Sequence, residues 1–214
     1  MTTLPIIDRT FWNNFFGSPD NFSLKGGKKY FLNRDRKKVI TDNNVDDFYQ
    51  NYGCEIEIKS ANYVILDIDN KSKKSQRNTI KDSKIVDILL KEKQIYLEET
   101  VNGGIHAIFK FDCGVSILNP VVAIAEESFV FEFLKKCITH PSTNYNLLYA
   151  PIDPPEPIEF ERFLNLTTDL LIKAEASQEN KLDREIVFNT IKSCFIQASY
   201  LLFFLLNQLS LILF

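Results

Sequence analysis

An α+β fold is what this sequence predicts, and three features carry that expectation. Strand-like runs recur through the first two thirds of the chain: Tyr63-Val64-Ile65-Leu66, Gln94 to Thr100, Ile105 to Phe111 and Phe129 to Leu134. Four prolines in the seven positions Pro151 to Pro157 then exclude both helix and central strand. Beyond them, Ile158 to Ala176 and Asp183 to Phe214 carry helical patterning, separated by a polar Gln178-Glu179-Asn180 break. The expected organisation is therefore a domain over 1–150, a proline-rich linker over 151–157, and a helical segment over 158–214 ending in an apolar helix.

The chain has 214 residues, 45% of them hydrophobic and 25% charged, which places it with globular domains rather than disordered chains. The formal net charge of -3 gives no global signal for nucleic acid. The distribution is uneven, however: 18 of the 25 lysines and arginines lie at or before Lys110. A locally basic half can bind phosphates in a chain that is acidic overall. The four cysteines, Cys54, Cys113, Cys137 and Cys194, form no C-x-x-C pair and exclude a dense disulfide framework, which predicts a reducing compartment. Asp8 and Arg9 interrupt the start and no apolar signal core follows, so a cytoplasmic location or a replication site is expected rather than secretion.

Taken in order, Pro5 to Phe22 is rich in aromatics (Phe11, Trp12, Phe15, Phe16) and reads as a short amphipathic helix capping a core. Lys25 to Lys38 is basic, Lys28, Lys29, Arg36, Lys37 and Lys38 among its residues, and 30–32 and 39–41 read as two short strands around a turn at 33–35. Such a hairpin can follow a phosphate backbone, or it can be a solvated charged face. Asp46 to Gly53 reads as a short helix.

The stretch Tyr63 to Asn70 is the chemical centre of the chain. Its apolar strand runs into Asp67-Ile68-Asp69. Strand side chains alternate faces, so the two acids share one side about 7 Å apart, while Ile68 points into the core. Two carboxylates on one face repel each other, so they either hold a divalent cation such as Mg²⁺ or Mn²⁺ with open positions for phosphate or form a solvated strand end with no role. Lys71, Lys73 and Lys74 begin a positive run that leads into a helix with Ile80, Ile85, Ile88 and Leu89 on its apolar face. A turn at Asn102-Gly103-Gly104 links the next two strands as a hairpin and leaves His106 accessible, since the glycines remove bulk. Glu132 lies between Phe131 and Phe133, where a carboxylate is costly to bury without a cation or donor. A loop over Cys137 to Ser142 carries His140 and Ser142. The tail from Tyr200 onward is nearly all Leu, Phe and Ile, shorter than the roughly 20 residues of a bilayer span, so an interface or core helix is expected and membrane is not.

In this order, Asp67-Ile68-Asp69, Gly103-Gly104-Ile105-His106, Phe131-Glu132-Phe133 and His140-Pro141-Ser142 resemble the archaeo-eukaryotic primase superfamily, in particular the primase–polymerase domains of plasmid, viral and phage replication proteins. The resemblance spans about residues 60–150. It implies an RRM-like mixed or antiparallel sheet core with an N-terminal α/β unit. It implies a DNA primase or polymerase in which Asp67, Asp69 and Glu132 hold two divalent ions, Mg²⁺ or Mn²⁺. His106, Gly104, His140 and Ser142 would bind the incoming NTP or dNTP. Lys28, Lys29, Arg36, Lys37, Lys38, Lys71, Lys73 and Lys74 would track a single-stranded DNA template. A replicative helicase domain or protein, or self-association through the C-terminal helices, would complete the partners. Two other enzyme classes use Asp-x-Asp: haloacid-dehalogenase-type phosphatases, whose motif continues with Thr or Val where Lys71 stands, and GT-A glycosyltransferases. A catalytically inactive nucleic-acid-binding or replication-assembly module is the non-enzymatic alternative.

Overall fold

A computed structural model describes residues 4–26, 54–70, 84–92, 94–122, 129–140, 142, 145–175 and 183–197. The basic residues Lys28, Lys29, Arg36, Lys37, Lys38, Lys71, Lys73 and Lys74 lie outside the described residues. So do the hairpin expected over 30–41, the helix expected over 46–53 and the apolar tail from Tyr200.

The aromatic stretch near the start forms helix α1 (Arg9–Phe16). Asp8 caps it, its carboxylate accepting from the Phe11 N–H at 2.8 Å, an arrangement that contributes about 1 kcal/mol. Strand β1 (Phe22–Gly26) pairs antiparallel with β2 (Cys54–Ile58). The acidic stretch is strand β3 (Tyr63–Asn70). After it come the short helix α2 (Lys84–Leu89) and the hairpin β4 (Tyr96–Glu99) and β5 (Ile105–Lys110). Two short strands follow, β6 (Val115–Ile117) and β7 (Val121–Val122), then β8 (Phe129–Leu134), β9 (Lys136–Thr139) and β10 (Asn146–Tyr149). Helices α3 (Phe160–Glu175) and α4 (Arg184–Ser193) lead to a last strand, β11 (Phe195–Gln197).

The α+β class expected from the sequence is the class observed. A six-stranded antiparallel sheet of order β10-β4-β5-β3-β8-β7 forms the centre, beside a three-stranded sheet β1-β2-β9 and a β6–β11 pair. Alternation divides the central sheet into two faces. On the back, Val64, Leu66, Ile68, Ile105, Ala107, Phe109, Phe131 and Phe133 form one buried cluster with residues of α2, α3 and α4. Phe163 of α3 is its hub, with ring contacts to Phe109, Phe111, Phe133, Phe160 and Phe195. On the front, Tyr63, Ile65, Tyr96 and Ile108 pack under Phe11, Trp12, Phe15 and Phe16 of α1 and under the small sheet.

Two segments differ from expectation. Cys137 to Thr139, read as part of a loop, lie in strand β9 because the free edge of β2 takes them up from Cys54↔Thr139 to Glu57↔Lys136. Lys136 also pairs with Glu55 at 2.9 Å. The helix expected from Asp183 to the C-terminus stops at Ser193, where Phe195 turns in against Phe133, Phe160 and Phe163 and β11 pairs with β6. Edge pairing plus aromatic burial outweighs helix propensity there. Beyond the proline segment the chain packs on the same core: Ile158 bridges to Phe111, and its N–H donates to the Lys110 carbonyl at 2.8 Å. No helix among the described residues is long and apolar enough to cross a membrane.

Candidate active site

Where α1 ends its cover, the front of the sheet becomes polar. Register places Glu98 opposite His106, His106 opposite Asp67, and Asp67 opposite Glu132. These four side chains form one row across β4, β5, β3 and β8, with neighbouring Cβ atoms about 4.5–5.5 Å apart as directly opposed residues are. Asp69 lies two residues further along β3 on the same face.

The turn between β4 and β5 fixes one end of this row. Gly103 adopts a positive φ of 77°, which L side chains rarely adopt. Gly104 is needed for closeness: a Cβ there would lie 2.7 Å from the Ile68 carbonyl, 2.9 Å from Thr100 Oγ1 and 3.2 Å from Asp69 Oδ1. Its N–H donates to Thr100 Oγ1 at 3.1 Å. The glycine therefore lets the hairpin press against the end of β3 that carries Asp69.

His106 was expected to be accessible, and it is buried, at 5% exposure. The physical reason is Glu98, which lies beneath it with no exposed surface and gives the ring a buried partner. Nδ1 of His106 is 2.8 Å from Glu98 Oε1, and Nε2 is 3.6 Å from Asp67 Oδ2. Glu98 Oε2 accepts three further hydrogen bonds, from the Tyr96 hydroxyl at 2.7 Å, Thr139 Oγ1 at 2.9 Å and the His140 N–H at 2.7 Å. A buried carboxylate with that many donors is well satisfied.

Burial alone would pull the imidazolium pKa down, but the Cys137 sulfur, Asp67 and Glu98 around it more than offset this and hold it well above the usual histidine value. The Cys137 thiol is itself pushed up by burial, with His106 opposing. Burial and the neighbouring Glu98 likewise raise the Tyr96 phenol and keep it a donor.

Asp67 is the unusual member. Its side chain is 13% exposed and one oxygen faces His106, yet Oδ1 is buried without a hydrogen-bond partner among the described residues. Leaving a buried acceptor unmatched costs about 1–3 kcal/mol, more when it is charged. A cation bound there would remove that cost, and Asp69 and Glu132 stand beside it, so hard oxygen donors of the type Mg²⁺ or Mn²⁺ prefers are present. Glu98, His106 and Cys137 also bring ligand atoms within 4.8 Å of one another. That trio suits a metal poorly, because Glu98 is already saturated with donors and Nδ1 of His106 is taken up by Glu98 Oε1.

The structure thus brings Asp67, Asp69, Glu132 and His106 to one patch, with Gly104 packed beneath its end. It places the other expected nucleotide contacts differently. The Ser142 hydroxyl is buried, accepting from the Cys54 N–H at 2.8 Å and donating to the Cys54 carbonyl at 3.3 Å, so it ties its segment to β2. The His140 ring, half-buried, has Nδ1 3.0 Å from the Tyr145 carbonyl, and its main chain reaches the row through Glu98. Glu98, Thr139, Tyr96 and Cys137 were not singled out from sequence. A usable signal existed for Glu98: counting outward from Asn102 at the centre of the turn pairs position 98 with position 106. No protein-family model matches the chain and no curated protein matches it, so the reading of the patch rests on its own chemistry.

Proposed function

We infer that the protein is a template-directed nucleotidyltransferase, a DNA primase or polymerase that joins NTPs or dNTPs on single-stranded DNA with two divalent ions, Mg²⁺ or Mn²⁺. The observation that carries this reading is the row itself: Asp67 flanked by Glu132 and His106, with Asp69 beyond, and Asp67 Oδ1 buried without a donor among the described residues. Three carboxylates from two adjacent strands offer a charge and donor set suited to a pair of hard cations. Bound there, such ions would supply an activated 3′-hydroxyl and stabilise the leaving pyrophosphate. The chain's own contribution is positioning and charge. Asp67, Asp69 and Glu132 hold the anionic side of the patch. His106 supplies a cation fixed beside Asp67 for the phosphates of the incoming nucleotide, since prearranged charge provides most of phosphoryl-transfer catalysis. The lysines and arginines of the first half would neutralise the template.

The test is incubation of the full chain with a single-stranded DNA template, NTPs or dNTPs, and Mg²⁺ or Mn²⁺, with and without a primer. Wild type is expected to make product, and Asp67→Ala/Asp69→Ala to make at least about a thousandfold less while keeping its circular dichroism spectrum. Equal product from the double variant would remove these residues from the site. A folded, template-bound wild type that makes none would assign the chain to the binding-module class.

A further inference from the structure

We propose that Glu98 is the positioning residue of this site: its carboxylate locks the His106 ring so that Nε2 faces the carboxylate row, and clamps that ring to the His140 main chain. The proposal rests on the nucleotidyl-transfer reading and names a part in it for a residue that touches no substrate. The geometry gives the two oxygens separate tasks. Oε1 takes Nδ1 of His106 at 2.8 Å, so the ring has one orientation in which its far nitrogen reaches Asp67. Oε2 takes the His140 N–H together with the Tyr96 and Thr139 hydroxyls. One buried, rigid side chain therefore joins β4, β5 and β9 at the point where His106 is presented. Tyr145 closes the arrangement, with its ring centroid 6.0 Å from that of His106 and its carbonyl near His140 Nδ1. A histidine held from behind by a carboxylate is fixed in both orientation and proton placement, and losing such a partner weakens the front nitrogen's interactions.

Glu98→Gln isolates this role because it keeps the shape. A carboxamide has one acceptor oxygen, and the main-chain N–H of His140 cannot turn away, so that oxygen stays at the Oε2 position. The amide nitrogen then meets Nδ1 of His106, where two donors cannot face each other. Nδ1 must lose its proton or the ring must turn.

The experiment compares wild type, Glu98→Gln and Glu98→Asp as full chains, by nitrogen-15 NMR of the imidazole and by steady-state nucleotide incorporation. Glu98→Asp keeps the charge but is one methylene too short to serve both sides, and it carries the test if the Gln variant does not fold. Wild type is expected to show a hydrogen-bonded Nδ1–H on His106. Both variants should lose that signal and raise the nucleotide KM by about tenfold or more, with a smaller change in kcat. Retention of the Nδ1–H signal with an unchanged KM in a folded variant would overturn the proposal while leaving the nucleotidyl-transfer reading intact. A wild type that neither binds nor incorporates a nucleoside triphosphate would overturn both, whatever the variants show.

Discussion

The two faces of the central sheet are made by the same strands and differ in almost every other respect. Behind β3, Leu66 and Ile68 meet Ala107, Ile105, Phe131 and Phe133, all buried and all apolar. In front, the residues between them are Asp67, His106 and Glu132, one of them with a buried oxygen unmatched among the described residues. Among the described residues the back face is covered by α2, α3 and α4. The front face is finished only over its lower half, where α1 contributes four aromatic side chains. The difference separates the residues that hold the fold from those that hold a charge for use.

Four changes sharpen or break that contrast. The largest effect expected is on activity. Asp67→Asn should cut nucleotide incorporation by on the order of a thousandfold or more while shifting urea-unfolding stability by no more than about 1 kcal/mol. A stability loss as large as the loss of transition-state binding would show that Asp67 belongs to the scaffold. On the other face, Phe163→Ala removes the hub of the aromatic cluster and should destabilise by about 3–5 kcal/mol, read from the denaturation midpoint. Next, Gly104→Ala sets a Cβ against the Ile68 carbonyl and should cost about 1–3 kcal/mol. It should also raise the nucleotide KM, since what must move carries Asp69. A silent Gly104→Ala would mean that the turn relaxes freely.

The smallest effect concerns Lys135, whose Nζ donates to the Ser60 and Tyr63 carbonyls behind the turn before β3. Burial lowers its pKa to about 8, below the model-compound value of 10.5. Between those two values the unfolded chain binds the extra proton, so stability should rise as pH climbs from about 8 toward 10. Tyr63 acts oppositely only above pH 10, because burial lifts its pKa to about 12 and ionisation then favours the unfolded chain. Denaturation curves at pH 7.5, 9 and 10 should show a gain for wild type that Lys135→Met lacks; parallel curves would remove Lys135 as the source.

Much of the back face could be read directly from the sequence, because the apolar run Val64-Ile65-Leu66 and the period-two alternation in Ile105 to Phe111 are local signals that tertiary packing obeyed. Asp67, Asp69 and Glu132 were readable for the same reason: their positions on a strand set their face. What escaped was whatever depended on a partner far along the chain. His106 was expected to be open because the glycines beside it suggested space, whereas a carboxylate eight positions earlier occupies it. Ser142 reads as a nucleotide contact within its own tripeptide, yet its hydroxyl is taken by Cys54, 88 positions away. β9 and β11 are four- and three-residue pieces whose strand state comes from an open edge elsewhere, so no periodicity within them could announce it.

The row has one more consequence, for how the strands find their alignment. Glu98, His106, Asp67 and Glu132 stand at matched positions on four neighbouring strands. A slip of one residue in any pairing would carry one of these ionisable groups to the other surface, among Phe131, Phe133 and Phe109. Burying a charge there without its partner is prohibitive. The apolar residues alone would tolerate several alignments, since Ile, Leu and Phe fill one another's places readily. The polar line allows only one. The residues that could do chemistry in the finished protein thereby also act as its alignment marks while it folds.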